Sequence, residues 1–91
     1  MMNFEWDEDK RLSNIAKHGV IFEKAIEIFL DEKRLIIPDN RFDYGENRFI
    51  SIGEIQTRVH VVIYIEKIGN TIRIISARKA NKREVEHYEK S

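Results

Sequence analysis

The sequence contains no cysteine, one proline and only four glycines among its 91 residues. The lack of cysteine excludes a disulfide framework and a thiolate zinc site, and it is compatible with a reducing compartment. The scarcity of proline and glycine argues against long disordered segments. No apolar run has the length of a membrane-spanning helix, and the first residues do not resemble a signal peptide. We therefore expect a single cytoplasmic domain covering residues 1–91.

Acidic and basic residues are equal in number, with sixteen of each, but they are unevenly distributed. Residues 1–47 contain seven Lys and Arg against eleven Asp and Glu, whereas residues 48–91 contain nine against five. The basic second half favours a partner of negative charge. The alternative is that the two halves attract each other within the fold, and this feature alone does not decide between the two interpretations.

Local signals predict two helices near the N-terminus. Asp7 is a good N-cap for the first helix, and Gly19 supplies its end. The second helix is predicted over residues 22–30, and its start lacks a polar cap because Ile21 stands there. The apolar residues expected to be buried are Leu12, Ile15 and Ala16 in the first helix, and Phe22, Ala25, Ile26, Phe29 and Leu30 in the second.

Strand-like segments precede and follow these helices. They cover residues 3–6, 35–37, 48–52 and 58–66, and a final strand begins at Thr71. The apolar centre of segment 58–66 predicts a middle position in the sheet. We expect a long loop over 39–47 and turns at 53–57 and 67–70, with Gly53 and Gly69 as turn glycines. The pattern indicates an α+β fold with two N-terminal helices, a largely antiparallel twisted sheet of four to five strands, and a C-terminal helix.

The stretch from Thr71 to Ser91 carries the strongest functional signal. Asn81 and Glu84 have the spacing of a capping box, which predicts a helix after the last strand. Arginine forks and lysine charges at fixed positions suit a phosphate-rich partner, although a solvated charge run at a sheet edge is the usual alternative. The stretch has five basic residues before Glu84, which are Arg73, Arg78, Lys79, Lys82 and Arg83.

Alternation along the last strand predicts where these cations lie. We expect Arg73 on the face of the sheet opposite to Ile72 and Ile74. Arg78 and Lys79 are expected in the turn that follows the strand, and Lys82 and Arg83 are expected in the first turn of the helix.

Histidine and tyrosine supply the remaining candidate chemistry. His18 lies in the last turn of the first helix, where it can act as an acid or base near neutral pH or simply stabilise the helix end. His60 is expected to be a half-buried strand residue and His87 an exposed helical one. Tyr88 could contact a phosphate or base, or pack as a core aromatic. No histidines and carboxylates have metal-ligand spacing and no glycine-rich phosphate loop occurs, so we expect no metal or other cofactor.

Several motifs occur together in an order that spans nearly the whole chain. They are Phe4-Glu5-Trp6-Asp7, Lys17-His18-Gly19-Val20, Phe22-Glu23, and Ile72-Arg73-Ile74-Ile75-Ser76-Ala77-Arg78-Lys79-Ala80 followed by Glu84 and Tyr88. This combination resembles the BrnT-type toxins of type II toxin–antitoxin systems. The loop over 39–47 matches the pattern only loosely, and Ile21 replaces a small polar residue.

The resemblance implies a RelE-like fold and a metal-independent endoribonuclease that cleaves RNA and thereby inhibits translation. It also implies a hetero-oligomer with a BrnA-like antitoxin, a DNA-binding protein that neutralises the toxin. Whether cleavage takes place at the ribosome is left open. The family's polar cluster maps to Lys17, His18, Arg48, Arg73, Arg78, Lys79 and Tyr88. Of these we expect His18, Arg73, Arg78 and Tyr88 to be catalytic and Lys17, Arg48 and Lys79 to bind substrate. Lys82 and Arg83 are added as accessory contacts with RNA or the antitoxin.

The mechanism expected of such an enzyme is attack of a ribose 2′-hydroxyl on the adjacent phosphate. Arg73 and Arg78 would stabilise the phosphorane, and His18 would act as acid or base with Lys17 or Lys79 assisting. The alternative function is a non-catalytic RNA- or partner-binding module with a basic face. A DNA-binding regulator is less well supported, because the cations do not follow an exposed recognition helix.

Overall fold

The chain forms a five-stranded sheet with helices on both faces, in a computed structural model that describes residues 2–41, 43 and 45–91. The strands are β1 (Asn3–Trp6), β2 (Leu35–Pro38), β3 (Arg48–Ile55), β4 (Arg58–Lys67) and β5 (Thr71–Lys79). The helices are α1 (Glu8–His18), α2 (Phe22–Ala25) and α3 (Lys82–Lys90), and a 3₁₀ helix (Ile26–Leu30) continues α2. The predicted α+β class is confirmed. Phe42 and Tyr44, which belong to the predicted loop 39–47, lie outside the described residues.

The strand order is β1-β5-β4-β3-β2, so β4 occupies the centre as its apolar sequence predicts. β1 is parallel to β5, and the other three pairs are antiparallel. A register shift between β4 and β5 pairs Ile63 with Ser76 but Tyr64 with Ile74, which leaves Ile75 as an additional residue. This is the arrangement of a β-bulge, which bends the strand and changes the direction of nearby side chains. No helix in the described part of the chain is both long and apolar enough to cross a membrane.

Each face of the sheet has its own apolar cluster. On one face, Phe22 and Ile28 pack against Val62 and Ile74, and all four side chains are fully or almost fully buried. On the other face, Tyr88 of α3 joins a smaller cluster, which contains Ile52 and Val61. Part of this second face is left uncovered by α3, and the candidate active site lies there.

The expected buried stripe of α1 is wrong. Leu12 is 54% exposed and Ala16 is exposed, whereas Asn14 is only 5% exposed. The Asn14 amide nitrogen donates to the carbonyl oxygens of Val20 and Ala77, both at 2.8 Å, and its oxygen accepts from the Ala77 N–H at 3.1 Å. β1 pairs with β5 only as far as Ile74, and the Asn14 side chain takes over the free strand edge beyond it. The helix therefore contacts backbone polar groups where the apolar pattern predicts a core.

The second predicted helix is α-helical only as far as Ala25. The buried residues of the segment are Phe22 and Ala25 in the α-helical part and Ile28 in the 3₁₀ part. Leu30, which the helical pattern places in the core, is 81% exposed. No side chain caps the start at Ile21, as the sequence indicates.

β3 is three residues longer than predicted, and Gly53 lies within it rather than in a turn. A Cβ at Gly53 would lie 2.9 Å from Cβ of Arg34 and 3.0 Å from Cγ1 of Ile28, so glycine permits a close approach. The chain reverses instead at Gln56 and Thr57, whose φ angles of 51° and 70° match a two-residue hairpin turn.

The predicted helix caps are confirmed. The Asp7 carboxylate accepts from the N–H of Asp9 at 2.8 Å, and Gly19 ends α1 with a φ of 69°. Asn81 and Glu84 form the complete capping box at the start of α3. The expected turn at residues 78 and 79 is wrong, because β5 continues through Lys79 and includes Arg78. The Ala80 N–H donates to the Val59 carbonyl at 3.0 Å, so hydrogen bonding between the two strands extends to the residue after β5.

Candidate active site

One row of side chains crosses the uncovered face of the sheet. Register places Arg48 of β3 beside Ile65 of β4, Ile65 beside Arg73 of β5, and Arg73 beside Glu5 of β1. Residues opposite one another in neighbouring strands project to the same face, so Arg48 and Arg73 flank an apolar centre. The predicted position of Arg73, opposite to the buried Ile72 and Ile74, is confirmed.

Glu5 holds two cations at the β1 end of this row. Its Oε2 accepts a hydrogen bond from Nη1 of Arg73 at 2.9 Å and another from Nζ of Lys67 at 3.0 Å. These two hydrogen bonds lower the pKa of Glu5 below its ordinary value, so the carboxylate is ionised at neutral pH. The acidic and basic halves of the chain thus do attract each other here. A phosphate on Arg73 would share or replace the same contact.

The bulge in β5 joins this row to α1. Ile75 and Ser76, the residues at the irregular register, lie beside Ser13, Lys17 and His18 on the helix. The bonds of Asn14 to Ala77 hold α1 at this distance from the strand. The last turn of α1 is therefore positioned next to the uncovered face of the sheet.

Two depressions meet at Lys10 and Ile75 and together form what we call the basic groove. The first has a volume of about 680 Å³ and the second about 370 Å³. The cations that line the groove are Lys10, Lys17, Arg48, Lys67 and Arg73, with His18 at one end. The carboxylates that line it are Asp7, Asp9, Glu46 and Glu66.

The groove brings together four of the residues predicted for the site, which are Lys17, His18, Arg48 and Arg73. Sequence reasoning missed Lys10 and Lys67 as site residues. Lys10 and Lys17 are seven residues apart, so they lie on one face of α1 two turns apart, and this spacing is visible in the sequence. Lys67 could not be identified from sequence spacing, because its place in the site depends on its hydrogen bond to Glu5, which is distant in the sequence.

Arg78 is engaged by α3. Its Nη1 and Nη2 donate to the two carboxylate oxygens of Glu84, both at 2.8 Å. This paired hydrogen bond raises the pKa of Arg78 and lowers that of Glu84, which also accepts from the Asn81 N–H. The geometry ties β5 to the start of α3. An RNA phosphate at Arg78 would have to compete with Glu84.

The Tyr88 hydroxyl lies between two carboxylates rather than among the groove-lining residues described above. It donates to Oδ2 of Asp31 at 2.5 Å, and Oε1 of Glu54 lies 3.4 Å away. The hydrogen bond to Asp31 and burial raise the pKa of Tyr88. The structure thus gives Tyr88 a contact that connects α3 to the segment between the 3₁₀ helix and β2. Its predicted catalytic role stays a prediction.

Asp31 is stabilised in its ionised form by several donors. Burial raises the pKa of Asp31, but hydrogen bonds from Tyr88 and from the N–H groups of Glu54 and Lys33 together lower it below its ordinary value. A lowered folded pKa contributes stability above the unfolded pKa of about 3.9, and this contribution is lost as pH falls through the folded pKa.

We expect Tyr88→Phe to lower the free energy of unfolding near neutral pH by about 1–2 kcal/mol, because Asp31 loses a donor in a partly exposed site. The loss should shrink as pH falls below the unfolded pKa of Asp31, about 3.9, and through its lower folded pKa, because the carboxylate then becomes protonated. Tyr64→Phe is the matched control, since its hydroxyl bonds to the neutral Ser51 at 2.9 Å and its loss should not change in this acid range. A Tyr88→Phe effect independent of pH would contradict the role given to the Asp31 carboxylate.

The remaining predicted binding residues lie elsewhere. Lys79 lines a separate cavity at the end of β5 together with His60. Lys82 and Arg83 are exposed in the first turn of α3. His87 is exposed on the same helix, as predicted, whereas His60 is buried. Within residues 2–41, 43 and 45–91, no group of three or more His, Asp or Glu side chains has the geometry of a metal site.

Comparisons with known proteins point to one protein family. A family model described as a ribonuclease toxin, BrnT, of type II toxin–antitoxin systems matches residues 6–84. The crystal structure of the ribonuclease toxin BrnT of Brucella abortus is similar to this chain, with a TM-score of 0.73 and 32% sequence identity. That match covers 90% of this chain and 100% of the Brucella chain. No functionally curated protein matches the sequence.

The fold and these matches place the protein in the class of ribonuclease toxins of type II toxin–antitoxin systems. Within this class, the chain belongs to the BrnT family. Membership implies ribonuclease activity on RNA and an antitoxin as partner.

Proposed function

We propose that the chain is a metal-independent endoribonuclease that cleaves single-stranded RNA in the basic groove. The observation that carries the proposal is that two adjoining depressions, which share Lys10 and Ile75, contain Arg48 and Arg73 in one and Lys17 and His18 in the other. Arginine and lysine supply the positive charge that phosphoryl transfer requires. Family membership supplies the independent support.

In the reaction that we propose, the ribose 2′-oxygen bonds to the adjacent phosphorus and the bond from phosphorus to the 5′-oxygen breaks. The products are a 2′,3′-cyclic phosphate and a 5′-hydroxyl. Arg73 stabilises the charge that develops on the phosphorane oxygens. His18 transfers a proton to or from the reacting oxygens, and Lys17 adds positive charge beside it. Arg48 binds the RNA backbone at the other side of Ile65.

The assignment reduces the predicted catalytic set to the residues in the groove. Arg78 and Tyr88 act through α3 in our proposal, because Glu84 and Asp31 bind their functional groups. Lys82 and Arg83 remain available for contacts with RNA or with the antitoxin, since neither has an ion pair within the described residues.

In the cell, cleavage of messenger RNA would inhibit translation, and we propose that this is the toxic activity in the cytoplasm. A BrnA-like DNA-binding antitoxin would neutralise it by forming a hetero-oligomer. Type II systems pair a toxin with a protein antitoxin, and the family match supports this proposal. A variant of the proposal is that cleavage takes place only at the ribosome. Cleavage of free RNA in vitro would rule out this variant.

The test is incubation of the purified protein with RNA in buffer containing a metal chelator, followed by analysis of the product ends. We expect cyclic phosphate ends from the wild type and a rate about 10²–10⁴-fold lower for His18→Ala. His87→Ala is the matched control, because His87 is an exposed histidine on α3 and should leave the rate unchanged.

Three results would contradict parts of the proposal. Wild-type rates for His18→Ala would remove His18 from the mechanism. Activity that disappears with the chelator and returns with added magnesium would refute metal independence. RNA that is bound but never cut, with or without ribosomes, would favour the non-catalytic binding module.

A further inference from the structure

A second concave site lies beyond the C-terminal end of α1, and no step of the proposed reaction uses it. We call it the His60 cavity, and its volume is about 500 Å³. The cationic or titratable side chains that line it are Lys24, Arg58, His60 and Lys79, and no Asp or Glu occurs among its described lining residues. The basic groove, in contrast, contains four carboxylates. The cavity is therefore the more uniformly positive of the two sites.

The strand register explains why this charge is concentrated. His60 and Lys79 are direct partners on β4 and β5, so their side chains project to the same face. Arg58 lies at the start of β4, two residues before His60. Like charges opposite one another destabilise a sheet. Lys24 forms an ion pair with Glu27 at 3.4 Å, and no ion pair of Arg58 or Lys79 occurs within the described residues.

One ring nitrogen of His60 has a hydrogen-bond partner in the protein. Its residue surface is only 8% exposed, and Nδ1 lies 2.8 Å from the carbonyl oxygen of Arg58. A carbonyl only accepts hydrogen bonds, so Nδ1 carries a proton. Nε2 makes no hydrogen bond within the described residues, and in the imidazolium form it donates to an anion.

The cavity continues the basic groove around the end of α1. Lys17 and His18 line the groove, and the next three residues, Gly19 to Ile21, line the cavity. Along β5, Ser76 belongs to the groove and Lys79 to the cavity.

We propose that the His60 cavity binds a backbone phosphate of the RNA at a position away from the cleaved bond. This inference rests on the proposed function, because it takes the RNA in the groove as its starting point. Arg58, His60 and Lys79 bind the phosphate, and the RNA runs from Arg73 past His18 and around the end of α1. The site adds affinity for longer RNA and takes no part in bond cleavage.

The experiment measures binding of RNAs that carry 2′-O-methyl groups and cannot be cleaved, as a function of salt. A trinucleotide and an RNA of about ten nucleotides are compared, the latter within the range of single-stranded binding sites. For Arg58→Ala, we expect the longer RNA to lose about 0.7 in the slope of log affinity against log salt, and about fourfold in affinity near physiological salt. The trinucleotide should bind as it does to the wild type.

Lys90→Ala is the matched control, since it removes one positive charge from an exposed lysine on α3 that lines neither site. His60→Asn tests the ligand nitrogen separately, because asparagine retains a donor for the Arg58 carbonyl and removes Nε2. Arg58→Gln replaces Arg58→Ala if the latter does not fold. In the wild type, inorganic phosphate titrated at constant ionic strength should shift the His60 ring resonances more than chloride does.

The same affinity and slope for Arg58→Ala, His60→Asn and Lys90→Ala would overturn the inference. So would a selective loss of antitoxin binding, which would show that an acidic protein segment occupies the cavity. The two proposals fail separately. If the protein cleaves RNA but the cavity substitutions leave RNA binding unchanged, the phosphate site in the cavity is refuted. If RNA binding depends on the cavity but no RNA is cleaved, the ribonuclease proposal is refuted.

Discussion

Replacing Arg73 by alanine is expected to lower the rate constant for RNA cleavage by about 10²–10³-fold, as removal of one group that stabilises transition-state charge usually does. Arg73 is the third residue of β5, between β1 and β4, and lies in the row with Arg48, Ile65 and Glu5. Its hydrogen bond to Glu5, at 2.9 Å, fixes one side of the guanidinium and leaves the remaining donors for phosphate oxygens. Arg73→Lys retains the charge without the planar fork, so it should recover part of the rate.

The measurement is single-turnover cleavage at saturating protein, which separates the chemical step from binding and product release. Arg11→Ala is the control, because Arg11 also bonds carboxylates, with Glu8 at 2.7 Å and Glu23 at 3.0 Å, but does not line the groove. Loss of such exposed ion pairs has little effect on stability. Equal single-turnover rates for the two variants would show that Arg73 does not contact the reacting phosphate.

The parts of the fold that follow from short-range signals could be predicted. Asp7, Gly19 and the Asn81–Glu84 box satisfy groups within four residues of themselves, so the sequence alone contains the whole interaction. A hairpin over 53–57 could be predicted, but not that the reversal is confined to Gln56 and Thr57. Two positive φ angles normally require glycine or asparagine, and here the pairing of β3 with β4 imposes them on other residues.

The candidate site could be predicted in part. Alternation along β5 is enough to place Arg73 on the face away from the core. Its partner Glu5 is 68 residues away and is brought to it by the parallel pairing of β1, which no local pattern contains. The prediction for Arg78 is incomplete for another reason. Its partner Glu84 is only six residues away, but the sequence predicts Glu84 as part of the helix cap and does not show that it also binds the guanidinium.

The error in α1 has a different physical cause. Periodicity assumes that a helix packs its apolar stripe on a core, and it therefore favours Leu12 over Asn14. α1 lies along the part of β5 that β1 does not cover, where the free groups are backbone N–H and C=O. An amide side chain is complementary to that edge because it has both a donor and an acceptor. If α1 packs through an apolar stripe, Leu12 should contribute to stability; if it binds the strand edge, Asn14 should.

Asn14→Ala is accordingly expected to lower the free energy of unfolding by about 3–5 kcal/mol, a large part of the stability of a domain of this size. The substitution leaves the N–H and C=O of Ala77 and the C=O of Val20 buried without their partner. Leu12→Ala, on the same helix, should change it by less than about 0.5 kcal/mol, because Leu12 is mostly exposed. Chemical denaturation of the two variants measures both values.

The result also bears on the groove. Asn14 fixes α1 beside the bulge at Ile75 and Ser76, so a looser helix would move Lys17 and His18 relative to Arg73. We therefore expect folded Asn14→Ala to cleave RNA more slowly even at temperatures where it is fully native, whereas Leu12→Ala cleaves at the wild-type rate. The opposite result would be a stable, fully active Asn14→Ala protein and a destabilised Leu12→Ala protein. It would support the buried apolar stripe that the sequence predicts for α1. It would also refute the edge contact as the element that positions the site.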